Sequence, residues 1–564
     1  MRAISARAGR LSVSRDLDRG QGLTDRAWLL ATALLSLPLV WWTARLVLDG
    51  WVPQGDDAVL AVKTHDVFST HPPLLGMRST SSLLDPQTYA HHPGPLQFYL
   101  LAPAYALSGW QPWGLLLGVL LLNVALIGVV LHSAWAAGRL PGLAVAAVLV
   151  VTTERYFGDL LVHPWNLWAP ILGTLAALML AWRLLLGQLA ALPVYVVVAS
   201  YAAQAHIVGL PVMGLLTAVL AVVGLVRWRR ARGSVWPVPG YHRAPTRPVW
   251  KRPGWVAAGL TVVCWLPPLV DTLTYRPNNL SQLATLREPP ATGTVGWGLA
   301  LENLARMAVP GRQGLPVSAS PLQLALTVTA LAGCALCLRH LPRLVRRPRR
   351  ERDALTAAAL VALVPAVAVL LLGARSYAPL QLMYLDIYLP AALMAVAVAG
   401  WAGIRLLRNR TRHAGRVAVA AVVLGLVAAA LIPTSLFERG PSGEDNRDVV
   451  AGRTAVQQVR AVLADHPADR AVVVRGIGTT AFGGLAPAVT ADLVAGNRAV
   501  YFDTWWPNPE DDQARRTRNA PPNAVHVVLS EDPTIAVAPG TREASFVVSR
   551  SHGPPVRVYL FVTR

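Results

Sequence analysis

The sequence predicts an α-helical polytopic membrane protein of about eleven spans, followed by a small C-terminal α/β domain outside the membrane. Three observations predict it. Of 564 residues, 54% are hydrophobic and only 14% charged, against about 25% charged in soluble domains. The apolar residues fall in runs close to the roughly 20 residues that cross a bilayer as a helix. The arginines cluster between those runs, as short cytoplasmic loops require.

In order, the spans are expected at about 27–48, 113–137, 143–157, 167–186, 189–204, 207–226, 255–270, 321–338, 354–373, 383–404 and 417–432. Residues 1–26 form an Arg-rich tail with no small-residue cleavage site after the first apolar run, so that run reads as a retained anchor. Segment 227–252 holds eight Arg or Lys and no acidic residue. Two further basic clusters lie at 339–352 and 405–416. All three fall on the side of the N-terminus when the spans alternate. The chain is therefore expected in the plasma membrane with its N-terminus cytoplasmic and its C-terminus extracytoplasmic. The stretch 96–107 is either a membrane-lying helix or part of a span.

The membrane module is expected over 27–433, with large outer loops at 49–112 and 271–320. Residues 434–564 form the outer domain. There, 440–446 reads as a linker and 449–464 as an amphipathic helix. Short strands are expected near 471–474, 499–502, 524–529, 545–548 and 556–562.

The formal net charge of +21 raises the question of nucleic acid, but no basic stripe is interleaved with aromatics as a single-strand groove needs. The three cysteines, Cys264, Cys334 and Cys337, all lie in apolar runs. They read as small buried residues rather than metal ligands or a disulfide framework.

Every other polar cluster falls on the expected outer face, and the spans carry almost no charge. Alternating-access transporters place ionisable groups near the midplane and carry internal pseudo-repeats, and neither pattern is legible here. The first outer loop carries Asp56-Asp57, four histidines (His65, His71, His91, His92) and Arg78. The aspartates have two readings. One is a general base on an acceptor hydroxyl; the other is the cap of a helix over 57–63. One residue can serve each. His91 and His92 precede a Pro-Gly-Pro turn and can meet a phosphate or sugar, or stand solvated. His65 and His71 have no metal spacing. His163, in HPWN at 163–166, lies beside an interfacial Trp, and Gln204 and His206 occupy one turn. Arg276, Arg287 and Arg375 are outer cations suited to a phosphate clamp, and Tyr377, Tyr384 and Asp386 follow Arg375 in a polar stretch.

An acidic pair just after the first span, then His92-Pro93-Gly94-Pro95-Leu96-Gln97-Phe98-Tyr99, then a second span: this order resembles the polyprenyl-phosphate-dependent membrane glycosyltransferases of the GT-C superfamily. It is most similar to the branch with protein O-mannosyltransferases and aminoarabinose transferases, whose first outer loop ends in a K/H-P-P-L-[FY]-[FY] motif. The pattern departs by the inserted Gly94 and by Gln97 in place of an aromatic. The resemblance covers about 28–186 with motifs, and beyond that only architecture. It implies a polyprenyl-phosphate sugar donor, inverting attack by an envelope glycan, lipid or protein acceptor, and Asp56 or Asp57 as base. It also implies a leaving phosphate held by Arg375, Arg276 or a histidine among His91, His92 and His163, with Tyr377 nearby. No nucleotide is needed, and a divalent cation is required by some relatives and not by others. The Ala/Arg/Val bias is associated with GC-rich genomes such as those of actinobacteria. The competing expectations are an envelope-lipid flippase and a non-catalytic scaffold whose C-terminal domain binds polymer. Tyr501, Trp505 and Trp506 of that domain read as an ordinary core, or as a stacking surface for acceptor glycan.

Overall fold

The structure is a computed structural model, which describes residues 26–79, 90–233, 251–285, 296–308, 319–346, 351–375, 387–408, 446–502, 513–534, 541–549 and 554–562. The eleventh expected span, and Tyr377, Tyr384, Asp386, Arg287, Trp505 and Trp506, lie outside these residues.

The chain is a multi-pass membrane protein. Seven helices are long and apolar enough to cross a bilayer, and shorter apolar helices pack among them. The first span divides into α1 (Ala27–Leu35) and α2 (Leu37–Leu48). The cause is Pro38, which has no N–H to continue the ladder. The first outer loop forms α3 (Gly55–Asp66) and α4 (Leu96–Leu107). At twelve residues, α4 is about 18 Å long, too short to span.

The second and third spans form α5 (Pro112–Phe157), which breaks at Arg139 (φ 52°, ψ −144°), where the sequence places a turn. Gly142 is required there, because a Cβ would fall 2.4 Å from the Ala134 carbonyl oxygen. Next come α6 (Pro170–Leu185), α7 (Leu192–Ala205), α8 (Gly209–Gly233) and α9 (Lys251–Thr274). The loop after α9 holds α10 (Asn279–Thr285) and α11 (Gly296–Ala308). Then α12 (Pro321–Cys337), α13 (Leu341–Arg346), α14 (Glu351–Ala374) and α15 (Leu389–Arg408) complete the described bundle. In α6 every residue but Arg183 is buried. A helix apolar on all sides belongs at the centre of a bundle.

The ends of these helices gather at two poles of the bundle. At one end the Trp182 indole donates to the Ala354 carbonyl, Gln188 to Ala136, and Arg227 to both Leu185 and Leu344. Arg139 and Arg183 belong to this end. At the other end, the loops after the first, third, fifth and seventh spans meet.

The C-terminal domain begins with α16 (Asn446–Leu463). A five-stranded sheet follows: β1 (Val472–Ile477), β2 (Val500–Phe502), β3 (Val525–Ser530), β4 (Thr541–Val548) and β5 (Val556–Val562), in the order β2-β1-β3-β5-β4. β1 is parallel to β2 and β3, whereas β5 runs antiparallel to β3 and β4. The run Val472-Val473-Val474 is fully buried, as a central parallel strand should be. Between β1 and β2 lies α17 (Ala486–Ala495), which the strand-based reading of this segment does not anticipate. Tyr501 packs against Ala471, Val473 and Ala524, so it serves a small core.

Candidate active site

The site is built where the loops of alternate spans converge. α3 brings the acidic pair. Neither aspartate is the helix cap, because Gln54 occupies that position and no side chain bonds there. Instead Asp56 and Asp57 occupy the first turn, where negative charge meets the positive end of the helix dipole. Successive residues on a helix point about 100° apart, so the two carboxylates take different faces. Asp57 is 6% exposed, while Asp56 is half-buried.

Asp57 turns into the bundle and meets His163. The imidazole Nδ1 lies 3.2 Å from the Asp57 Oδ2. A carboxylate only accepts, so Nδ1 carries the hydrogen and donates. The short 3₁₀ turn Gly158–Val162 after α5 carries His163 to this point, and the Trp51 ring packs edge-on against it at 5.9 Å. Around it, Gln97 donates to the Pro164 carbonyl at 2.5 Å and Asn166 to the Ala205 carbonyl at 2.9 Å. Gln97, the departure from the aromatic expected at its place, thus fastens the first loop to the HPWN turn.

Burial raises the Asp57 carboxyl above the usual carboxylate range, opposed by the hydrogen bond and charge of His163 and by the Trp165 backbone N–H. The other oxygen, Oδ1, is buried and has no hydrogen-bond partner among the described residues. A buried carboxylate oxygen left unpaired is costly.

The histidine turn is structural at its base. His92 pairs its backbone with Gly76 and Met77, and Arg78 bridges to His91. The His92 Nδ1 accepts the Ile207 N–H at 3.0 Å, and the His206 Nδ1 accepts from Val208 at 3.4 Å. The two rings lie 4.6 Å apart. Burial lowers the His92 pKa well below the usual histidine value, helped by the charges of His206 and His91, and burial takes His206 down to about 4. Both rings are therefore neutral at pH 7, and each keeps its hydrogen on Nε2. His92 can offer a ligand an N–H donor but not a positive charge. His91 is half-buried, and its backbone is tied in both directions to the side chain of Asn279.

Gln204 closes the turn. Its Oε1 accepts from Leu96, its backbone carbonyl from Gly94, and its Nε2 donates to the Cys264 carbonyl. A Cβ on residue 94 would fall 2.3 Å from the Gln204 Oε1. Gly94 is therefore the residue that admits this clamp. Gly94→Ala is expected to cost about 1–3 kcal/mol through overpacking, seen as a lower melting temperature of the purified protein. Gly214→Ala, with open space around it, is the control.

The expected outer cations are placed differently. Arg276 is exposed and donates to the Thr272 and Tyr275 carbonyls, both at 2.7 Å, so its guanidinium is engaged by its own helix end. Arg375 is exposed just after α14. Neither makes a described contact with Asp57 or His163. Among the described residues, no group of three or more His, Cys, Asp or Glu could hold a metal ion.

His65 and His71, which carry no metal spacing, converge on Asp66 at the end of α3. His65 Nδ1 lies 3.1 Å from Asp66 Oδ1, and His71 Nε2 lies 3.4 Å from Oδ2. Arg515 of the C-terminal domain grips the same carboxylate with two bonds of 2.7 and 2.5 Å. Burial opposes ionisation of Asp66, but the hydrogen bonds from Arg515 and His65 and the nearby His71 ring outweigh it and hold the carboxyl well below its usual range. A depressed folded-state pKa adds stability above the unfolded value of about 3.9 and loses it as pH falls through that value and below. The melting temperature is therefore expected to fall steeply below about pH 4, and less steeply in Asp66→Asn. Sequence reasoning does not pair Asp66 with Arg515. Nor does it single out Lys63, whose burial is signalled only by a lone lysine in an apolar helical stretch.

No family model matches the chain, and no curated protein matches it by sequence. Among solved structures, it is similar to ArnT from Cupriavidus metallidurans in the apo state, with a TM-score of 0.50 and 15% identity over 95% of this chain and 98% of that one. The same protein bound to undecaprenyl phosphate gives a TM-score of 0.47 and 14% identity over the same shares. The resemblance read from the first-loop motifs is borne out at the level of fold: the chain shares the architecture of ArnT over 95% of its length.

Proposed function

We propose that this protein is a membrane glycosyltransferase that moves a sugar from a polyprenyl-phosphate donor to an envelope glycan, lipid or protein acceptor on the outer face. The observation that carries the reading is the Asp57–His163 pair, a buried carboxylate joined across two loops with Oδ1 unpartnered among the described residues. The ArnT-like fold supports it, as does the order of the first-loop motifs.

In this reading Asp57 takes the proton of the acceptor hydroxyl as that oxygen attacks the anomeric carbon from the face opposite the phosphate. The carbon–oxygen bond to the phosphate breaks with inversion, and the polyprenyl phosphate leaves with the bonding pair. His163 holds the carboxylate in register and stabilises its charged form. Half-buried Asp56 shapes the local field. The neutral Nε2–H of His92 and the cations Arg375 and Arg276 are the candidates to meet the phosphate, where charge grows in the transition state. Tyr377 belongs to the same proposed set. The helical module at 27–433 forms the lipid-facing half of the enzyme and 434–564 the outer domain.

A second reading has one observation in its favour. An aspartate on the Nδ1 of a histidine is also the arrangement that orients an imidazole base through Nε2. The test is sugar transfer in membranes lacking the native activity, with radiolabelled polyprenyl-phosphate sugars and envelope acceptor. Protein-dependent transfer that disappears in Asp57→Asn, with expression unchanged, supports the proposal. Full activity in Asp57→Asn would sink the aspartate mechanism. Absence of transfer with every donor would hand the field to a flippase or scaffold.

A further inference from the structure

We propose that the C-terminal domain is a working part of this active site, with Arg515 as a positioning residue that sets Asp57 through the helix Gly55–Asp66. The proposal rests on the transferase reading above.

Asp57 and Asp66 stand on one twelve-residue helix. The nine steps between them, at about 100° each, put the two carboxylates on opposite faces. One face meets the bundle through His163. The other meets the domain through Arg515, which lies 449 residues away in sequence. The helix is thus clamped between two bodies, with a buried carboxylate contact on each side.

The domain also fixes the start of the helix. Gly55 has φ +51°, and a Cβ there would lie 3.0 Å from the Gly483 carbonyl oxygen. Gln54 packs against Gly452 so closely that a Cβ on 452 would fall 2.5 Å from its Cδ. Arg453 donates to the Asp49 carbonyl at 3.2 Å. A module that only captures acceptor needs a tether to the membrane part. It does not need to grip both ends of the helix that carries the base. Arg515 itself is held, since its Nη1 donates to the Val500 carbonyl at the edge of the sheet at 3.3 Å. The sheet therefore references the position of Asp66, and a rigid helix passes that position to Asp57.

The test uses the full chain in lipid nanodiscs, with Arg515→Gln and Arg515→Lys beside wild type. Two readouts are taken: kcat and donor KM, and amide hydrogen exchange over residues 55–66. Arg515→Gln is expected to lower kcat by about 10- to 100-fold, the size of effect that a small misplacement of a reacting group produces, with donor KM little changed and exchange over 55–66 faster. Arg515→Lys, which keeps the charge but not the two-pronged grip, should recover part of both. A purely structural arm would lower the melting temperature and leave kcat unchanged below it. That outcome overturns the proposal, as does unchanged exchange over 55–66. Gly452→Ala, which displaces Gln54 and spares the ion pair, is the second variant should Arg515→Gln fail to accumulate, and the same kcat loss is expected of it. If wild type transfers no sugar from any donor, the transferase reading fails and the positioning role falls with it. An active wild type whose variants keep full kcat sinks the positioning role alone.

Discussion

Asp57→Asn is expected to lower sugar transfer by about 100- to 10,000-fold, the range a positioned general base contributes. The amide keeps the size of the side chain and can still face His163, but it cannot take a proton. Donor binding should change little. Asp56→Asn should lose about tenfold or less, because a half-buried carboxylate that takes a different face from the His163 contact acts mainly through the field. The pH dependence carries the sign of the Asp57 shift. A base works only above its pKa, and burial raises this one. The acid limb of kcat/KM is therefore expected at higher pH than an ordinary aspartate gives. His163 lowers that pKa by its hydrogen bond and charge. Its removal in His163→Gln should move the limb further up and cost less activity than Asp57→Asn. Equal losses in the two variants, with the limb gone from both profiles, would assign the base to the imidazole instead.

The second large effect concerns stability. Arg515→Ala is expected to cost about 3–5 kcal/mol, the range for removing one partner of a buried pair and leaving the other charge without it. Asp66 and Arg515 are both buried, so water cannot replace the lost bonds. The pair itself is not a strong net stabiliser, because both charges were desolvated to make it. Asp66→Leu combined with Arg515→Met should therefore cost less than either single truncation. The Arg460–Asp492 pair has comparable geometry, with bonds of 2.8 and 2.6 Å. The Arg460 side chain is 66% exposed, and Arg460→Ala should cost about 1 kcal/mol or less. Thermal melting of the three variants in one detergent decides the ranking. Equal shifts for Arg515→Ala and Arg460→Ala would remove burial as the reason.

Sequence alone determined the parts of this protein that depend on local pattern. Runs of apolar residues placed helices at the first ten expected spans, with described ends that differ by up to seven residues, because a bilayer demands a fixed length of uninterrupted apolar helix. Arginine clusters gave the expected grouping of their ends. The strand at Val556–Val562 was legible from its alternation and bounds. The first-loop aspartates and the histidine turn stood out because they are polar groups set in an apolar chain. Only the tertiary structure decided which aspartate is buried, since neighbouring helical residues differ by a rotation that composition does not report. It also decided that His163 belongs to Asp57, 106 residues away, that Gln204 and not a histidine closes the turn, and that Arg276 spends its guanidinium on its own helix end. The grip of the C-terminal domain on the helix Gly55–Asp66 is the extreme case. Its hydrogen bonds join residues 404 and 449 positions apart. The reason is physical: a helix or a span is set by residues that are neighbours in sequence, whereas a site is set by which loops the packed bundle brings together.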